Sequence, residues 1–168
     1  MRYNIFMKLI LILSFLILPF PAFAQAIGEV TKLPLPRFAS LRGDKIFART
    51  GPATRYPIKW EYHRKNLPVE IVQEFDTWRK IRDVDAEEAW VHQSLLSGKR
   101  FAIQNTGQPA TLHVNADETS RIKAMVESGV ILDLETCENK WCEVSESSYE
   151  GWISAISLWG VYEGEQIE

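Results

Sequence analysis

One stretch of this chain occurs twice, and the duplication limits the fold more than any other feature. TWRKIRDVDAEEAWVHQSLLSG (Thr77 to Gly98) returns as KWCEVSESSYEGWISAISLWG (Lys140 to Gly160). Trp78 aligns with Trp141, Ile81 with Val144, Trp90 with Trp152, Val91 with Ile153, Leu96 with Leu158 and Gly98 with Gly160; the second loop is one residue shorter. Self-similarity at a fixed distance makes each copy one structural unit. Upstream, Val69 and Ile71 align with Leu132 and Leu134, and Asn66 and Gly129 mark the preceding turn. Further back, IFAR (Ile46 to Arg49) is matched with LHVN (Leu112 to Asn115). Each unit then spans roughly sixty residues.

Within a unit the runs are short and alternating. VEIVQEF alternates, TWRKIRD pairs back on it, and Ile58, Trp60 and Tyr62 alternate with Lys59, Glu61 and His63, which predicts one buried face for that strand. WVHQSLLSG predicts a single turn of 3₁₀ or helix ending at Gly98. Close turn signals and no long amphipathic helix predict an all-β barrel or sandwich. Units this small have modest cores, so the two are expected to pack together across the short link Lys99 to Thr111, with Trp159 and Tyr162 covering the end of the second barrel.

Residues 1–24 have Arg2 and Lys8, an apolar run from Leu9 to Leu18, and Ala22-Phe23-Ala24, the order of a secretory signal cleaved after Ala24. The competing reading is an uncleaved membrane anchor, but the apolar run is shorter than the ~20 residues of a spanning helix; after cleavage no stable membrane insertion is expected. Residues 25–38 then form an extended leader, since Pro34 and Pro36 disfavour helix. The first unit covers 39–99, and the second, with a C-terminal tail, 100–168. Removing the signal leaves 17 Lys+Arg against 22 Asp+Glu, a net of 17 − 22 = −5. The charge is uneven: Arg37 to Arg100 holds 13 basic and 9 acidic residues (+4), Phe101 to Glu168 holds 3 and 12 (−9). A solvated surface explains this, as does a basic unit facing an anionic partner or its acidic neighbour.

Cys137 and Cys142 flank ENK in LETCENKWCEVS. If the flanking runs are antiparallel strands, the sulfurs meet across the hairpin. Export to an oxidising compartment makes a disulfide the expected state, with reduced buried thiols as the alternative.

The order in the first copy is a strand, R-x-G-P (Arg49 to Pro52), an aromatic and basic stretch (RYPIKWEYHRK), V-E-I-V, W-x-K-I and W-V-x-x-x-x-L. It resembles the bacterial SH3-like domain family, over both repeats, and a two-copy subgroup of exported proteins. The resemblance implies two tandem SH3-like small β-barrels, each five-stranded and partly open, and relatives that bind cell-wall peptides. In the second copy Asp117-Glu118 is read in place of Gly-Pro. The function this implies is an exported, periplasmic or extracellular binding protein that recognises peptidoglycan peptide or an extended protein segment. The competing reading is an envelope protein-interaction scaffold that assembles, with itself or an envelope partner, through its basic and acidic halves.

Aromatic walls with neighbouring cations suit carboxylate-bearing peptides, and Arg49, Tyr56, Trp60 and Arg64 are the candidate ligand-binding residues; for Trp60 and Trp78 a place in the core is the competing reading. No catalytic residue, metal or cofactor is expected. His63, His92 and His113 lack zinc-ligand spacing. The acidic loop DVDAEE lacks the glycine and later glutamate of a calcium loop, and is read as a solvated hairpin tip. Ser94 and Ser97 near His92 lack a nucleophile elbow. An acidic exported chain is not expected to bind nucleic acid.

Overall fold

The computed structural model describes residues 26–167; the signal sequence expected at 1–24 lies outside them. A two-stranded ribbon comes first, β1 (Ala26–Ile27) and β2 (Pro34–Leu35). The first unit follows: β3 (Arg37–Leu41), β4 (Ile46–Arg49), β5 (Ile58–Tyr62), β6 (Pro68–Phe75), β7 (Trp78–Arg82), β8 (Glu88–His92), a 3₁₀ turn at Gln93–Leu95 and β9 (Leu96–Ser97). The second is β10 (Phe101–Gln104), β11 (Ala110–His113), β12 (Ile122–Val126), β13 (Ile131–Glu138), β14 (Trp141–Glu146), β15 (Tyr149–Ser154), a 3₁₀ turn at Ala155–Ser157 and β16 (Leu158–Trp159). The sheets run β5-β4-β8-β7-β6-β3-β9 and β12-β11-β15-β14-β13-β10-β16. Each strand of the second order lies seven places after its counterpart, so the duplication extends to topology. Seven strand segments appear in place of five because the chain between β3 and β6, and between β10 and β13, forms a hairpin of its own.

The pairing corrects one alignment. Arg49 pairs with Trp90 and Ile58, while His113 pairs with Trp152 and Ile122, and a bulge precedes each of the two residues. IFAR therefore corresponds to ATLH (Ala110 to His113), and Asn115-Ala116, not Asp117-Glu118, stand where Gly51-Pro52 stand. Side chains alternate with period two, so a slip of two residues leaves every one on its own face. Hydrophobic pattern alone could not distinguish the registers.

Each unit closes over its own aliphatic core, around Leu41, Ile46, Val69, Ile81 and Val91 in the first and Leu112, Leu132, Val144 and Ile153 in the second. Tryptophan is absent from the buried cores: Trp60 is 41% exposed and the other five are half-buried. The narrow barrels are filled mainly by Leu, Ile, Val and Ala; Trp78, Trp90, Trp141 and Trp152 take the half-buried positions that alternate with the buried ones along their strands, and Trp159 packs on the edge of the first core. The face of β5 expected to be buried is largely open, since only Tyr62 reaches the core while Ile58 and Trp60 stay exposed. The reason is topological: β5 ends its sheet and bonds only to β4.

The link between units is itself a strand, β10, and its Ile103 belongs to the first unit's core. Trp159 and Tyr162 do not cap the second barrel. They clasp Phe38 of β3, with ring centroids 5.1 and 4.6 Å away, and the Tyr162 hydroxyl donates to Glu70 Oε1 at 2.9 Å. Arg100 lies over Phe38 and pairs with Glu165 at 2.7 Å. Lys99 pairs with Asp133.

The β6–β7 and β13–β14 hairpins are pinned at the same cross-strand position by different chemistry. In the second unit Cys137 and Cys142 are register partners joined by a disulfide. In the first the partners are Glu74 and Arg79, 3.6 Å apart. Glu74 has no side-chain exposure. Its carboxylate accepts from Val30 N (3.0 Å), Thr31 N (2.9 Å), Thr31 Oγ1 (2.6 Å) and Arg37 (2.7 Å). Burial alone would raise its pKa, but these donors outweigh burial and hold it at about 2. The leader is thus a ribbon folded onto this carboxylate, with Gly28 so close that a Cβ there would meet Glu74 Oε2 at 2.5 Å.

Two outcomes follow. Glu74→Gln should cost about 2 kcal/mol near pH 7, the scale of hydrogen bonds to a charged group. Because the folded pKa is depressed from 4.5, that contribution is complete above pH ~4.5 and is lost as pH falls towards 2. Urea titrations should therefore show wild type and variant converging over that window. Cys137→Ala/Cys142→Ala should lower stability by about 2 kcal/mol, the low end for disulfides because the closed loop is short; dithiothreitol should shift the wild-type urea midpoint and leave the variant's unchanged.

Candidate functional site

Arg49 and Tyr56 are brought together at the loop that joins β4 to β5. Arg49 Nη1 donates to the Tyr56 carbonyl at 2.8 Å, and Thr50 N donates to Pro57 O at 3.0 Å, so the loop is tied at its neck. The Tyr56 ring lies against Gly51, where a Cβ would stand 2.7 Å from it, and a larger residue there would push the ring away. Arg55 lies over the same ring, 5.1 Å from its centroid. The chain then leaves along the edge strand β5 with Ile58 (49%) and Trp60 (41%) exposed and Lys59 Nζ 5.7 Å from the Trp60 ring. Arg64 is not part of this group: it donates to Gly129 O in the second unit at 2.6 Å.

The second unit builds the same neck from different residues. His113 stands at the Arg49 position, its Nδ1 3.0 Å from Ser120 O, and Val114 N donates to Arg121 O. His113 is buried, and the loop beyond carries Thr119 and Ser120 where the first unit has Arg55 and Tyr56. Only the first unit presents an aromatic and cationic loop.

Trp78 and Trp141 each meet an imidazole edge-on. Trp78 packs on His92 at 5.7 Å and Trp141 on His113 at 5.4 Å. The first pair was readable in principle, because counting along the β7–β8 hairpin sets Trp78 opposite His92. The second was not, since His113 comes from β11. His92 also caps the 3₁₀ turn, accepting from Ser94 N at 3.3 Å.

The acidic loop Asp83 to Glu88 holds the hairpin together and is not a bare solvated tip. Asp83 Oδ1 accepts from Glu87 N and Asp85 N, and its Oδ2 accepts from Tyr62 Oη at 2.8 Å. Burial, reinforced by that carboxylate, pushes the Tyr62 phenol well above its ordinary pKa. Glu87 pairs with Lys59, and Glu88 with Lys80 and Arg82. The hydrogen bonds from Lys80 and Arg82 hold Glu88 below the usual carboxylate range.

These pairs absorb much of the first unit's positive charge. In the second unit only Asp133 and Glu165 meet a basic partner among the described residues. Unpaired charge is therefore mainly acidic and mainly on the second unit.

The model of the bacterial SH3 domain matches the chain twice, over residues 42–98 and 107–160. No curated protein matches it. Among solved structures, NlpC2 of Trichomonas vaginalis is similar at 12% identity with a TM-score of 0.34, over 74% of this chain and 48% of that one. NlpC1 of the same organism is similar at 12% identity and 0.33, over 79% and 48%. This chain spans about half the length of those structures. With the two matched segments covering most of the described residues and the two sheets sharing one strand order, the chain belongs to the bacterial SH3 domain family, in two tandem copies.

Proposed function

We propose that this chain is an exported binding protein of the bacterial envelope, whose first unit holds an extended, carboxylate-bearing peptide such as the stem peptide of peptidoglycan. Family membership supports a cell-wall module in general. The observation that carries the finer reading is the loop Thr50 to Pro57 with the strand after it. Arg55 and Tyr56 are stacked on a neck tied by Arg49, and Ile58 and Trp60 remain exposed on a strand with one free edge. A free edge offers main-chain hydrogen bonds to an extended ligand, exposed rings offer rigid contact area, and guanidinium groups select carboxylates. Arg49 spends one donor on the Tyr56 carbonyl, and the rest of its fork remains to meet an anion.

Assembly between chains through opposite halves has less support. The pairs Lys99–Asp133 and Arg100–Glu165 already join basic and acidic groups within one chain, and most other first-unit cations have partners at home.

The test is co-sedimentation of the full chain with purified sacculi. Wild type should pellet, and Tyr56→Ala/Trp60→Ala should lose about tenfold in affinity or more, the scale of an interface hot spot. Wild type left in the supernatant, or a double variant that pellets equally, would overturn the reading.

A further inference from the structure

The two units solve one packing problem differently. In the first, Tyr62 at the end of β5 turns its ring against the core, and its hydroxyl reaches Asp83 at the tip of the β7–β8 hairpin. Register assigns the counterparts. Ile46 pairs with Tyr62 as Ala110 pairs with Val126, so Val126 holds the Tyr62 position. Arg82 pairs with Glu88 as Ser145 pairs with Glu150, so Glu146 holds the Asp83 position. Where the first unit has a phenol bonded to a carboxylate, the second has an isopropyl group and a carboxylate whose Oε1 accepts from the Ser147 hydroxyl at 2.7 Å; its register partner Tyr149, also at the groove, is 59% exposed and makes no hydrogen bond to it.

The missing ring leaves space. A groove of about 310 Å³ opens there, with Val126, Leu132 and Val144 on its walls, Met125 beside it and Glu127 and Glu146 among its lining residues. That volume is at the lower end of small-molecule sites. Met125 is 53% and Tyr149 59% exposed at this groove, apolar surface that no described segment covers. β12 beside it ends its sheet and has a free edge.

We infer that this groove is a second binding site, one that takes a tyrosine side chain carried by an extended, cationic peptide segment. The ring would enter where Tyr62 lies in the sister unit, its hydroxyl would donate to Glu146, and the flanking backbone would run along β12. The neighbouring unpaired acidic groups, Glu127 and Glu146 at the groove and the second unit's surplus around it, select positive flanks. This site differs in unit, charge and ligand from the one proposed for the Tyr56 loop, and stands without it.

The experiment uses the full chain with four amidated pentapeptides: Lys-Arg-Tyr-Lys-Arg, the same with Phe or Ala at the centre, and Glu-Glu-Tyr-Glu-Glu. Binding is read by fluorescence anisotropy and by amide shifts at Ala124, Leu132 and Val144. The tyrosine peptide should bind best, the phenylalanine peptide several-fold more weakly, and the alanine and acidic peptides about tenfold more weakly or less still. Val126→Tyr, which rebuilds the first unit's solution, should fill the groove and weaken the tyrosine peptide at least about tenfold. Glu146→Ala, which removes the acceptor, should erase the preference for tyrosine over phenylalanine, and it keeps the test decisive if Val126→Tyr fails to fold. Equal binding of the alanine peptide, shifts confined to the Tyr56 loop, or a tyrosine preference that survives Glu146→Ala would overturn the inference. Tyr56→Ala/Trp60→Ala should leave this binding unchanged, so loss of sacculus binding and loss of peptide binding separate the two sites.

Discussion

The position that links the fourth and fifth strands of each unit carries the most structural consequence. Each hairpin must hold one register, because a slip of one residue would turn its aliphatic face to water. The second unit holds it with a covalent bond between Cys137 and Cys142, and the first with the buried Glu74–Arg79 pair. A lone buried pair is a weak device, since desolvation offsets most of its attraction. The first unit therefore surrounds it with backbone donors from Val30 and Thr31 and the guanidinium of Arg37. The leader is folded because a buried carboxylate needs those partners. In the second unit the chain's other end sits at the same place, where Ile167 exchanges backbone hydrogen bonds with Cys137.

With both hairpins pinned, the units can share surface without losing identity. Ile103 enters the first core from the second unit's first strand, and Trp159 and Tyr162 return to clasp Phe38. The contact is aromatic at its centre and ionic at its rim, through Arg100–Glu165 and Lys99–Asp133. Each small barrel gains apolar burial that it could not supply alone.

Duplication also let the copies diverge at their surfaces while the frame stayed constant. The neck that ties each β-hairpin loop is kept, by Arg49 in one copy and His113 in the other, although what the loop presents is not. The same holds for Lys59 and Lys123, which reach the carbonyls of Glu88 and Glu150, equivalent residues of the two copies. The contacts that hold the backbone recur, sometimes made by different side chains, and what the loops present to solvent does not. A cationic aromatic loop on one unit and an acidic apolar groove on the other are what such divergence produces.

The paired tryptophans, the alternating runs between turns and the two closely spaced cysteines were enough to read the duplicated β units, the hairpin disulfide and the 3₁₀ turn, because each depends on local spacing. Of the candidate site, Arg49 and Tyr56 were legible because seven residues and a Gly-Pro turn bring them together. Arg64 was not, since its partner Gly129 lies in another unit. The match of IFAR to its second-copy counterpart failed for a related reason: period two is blind to a slip of two. Burial was decided by position in the sheet. Trp60 reads as a core residue by alternation yet stands exposed, because β5 has a neighbour on one side only. The groove beneath Val126 is the extreme case. It is an unfilled volume, and only the tertiary structure can show a volume that side chains from five strands leave empty.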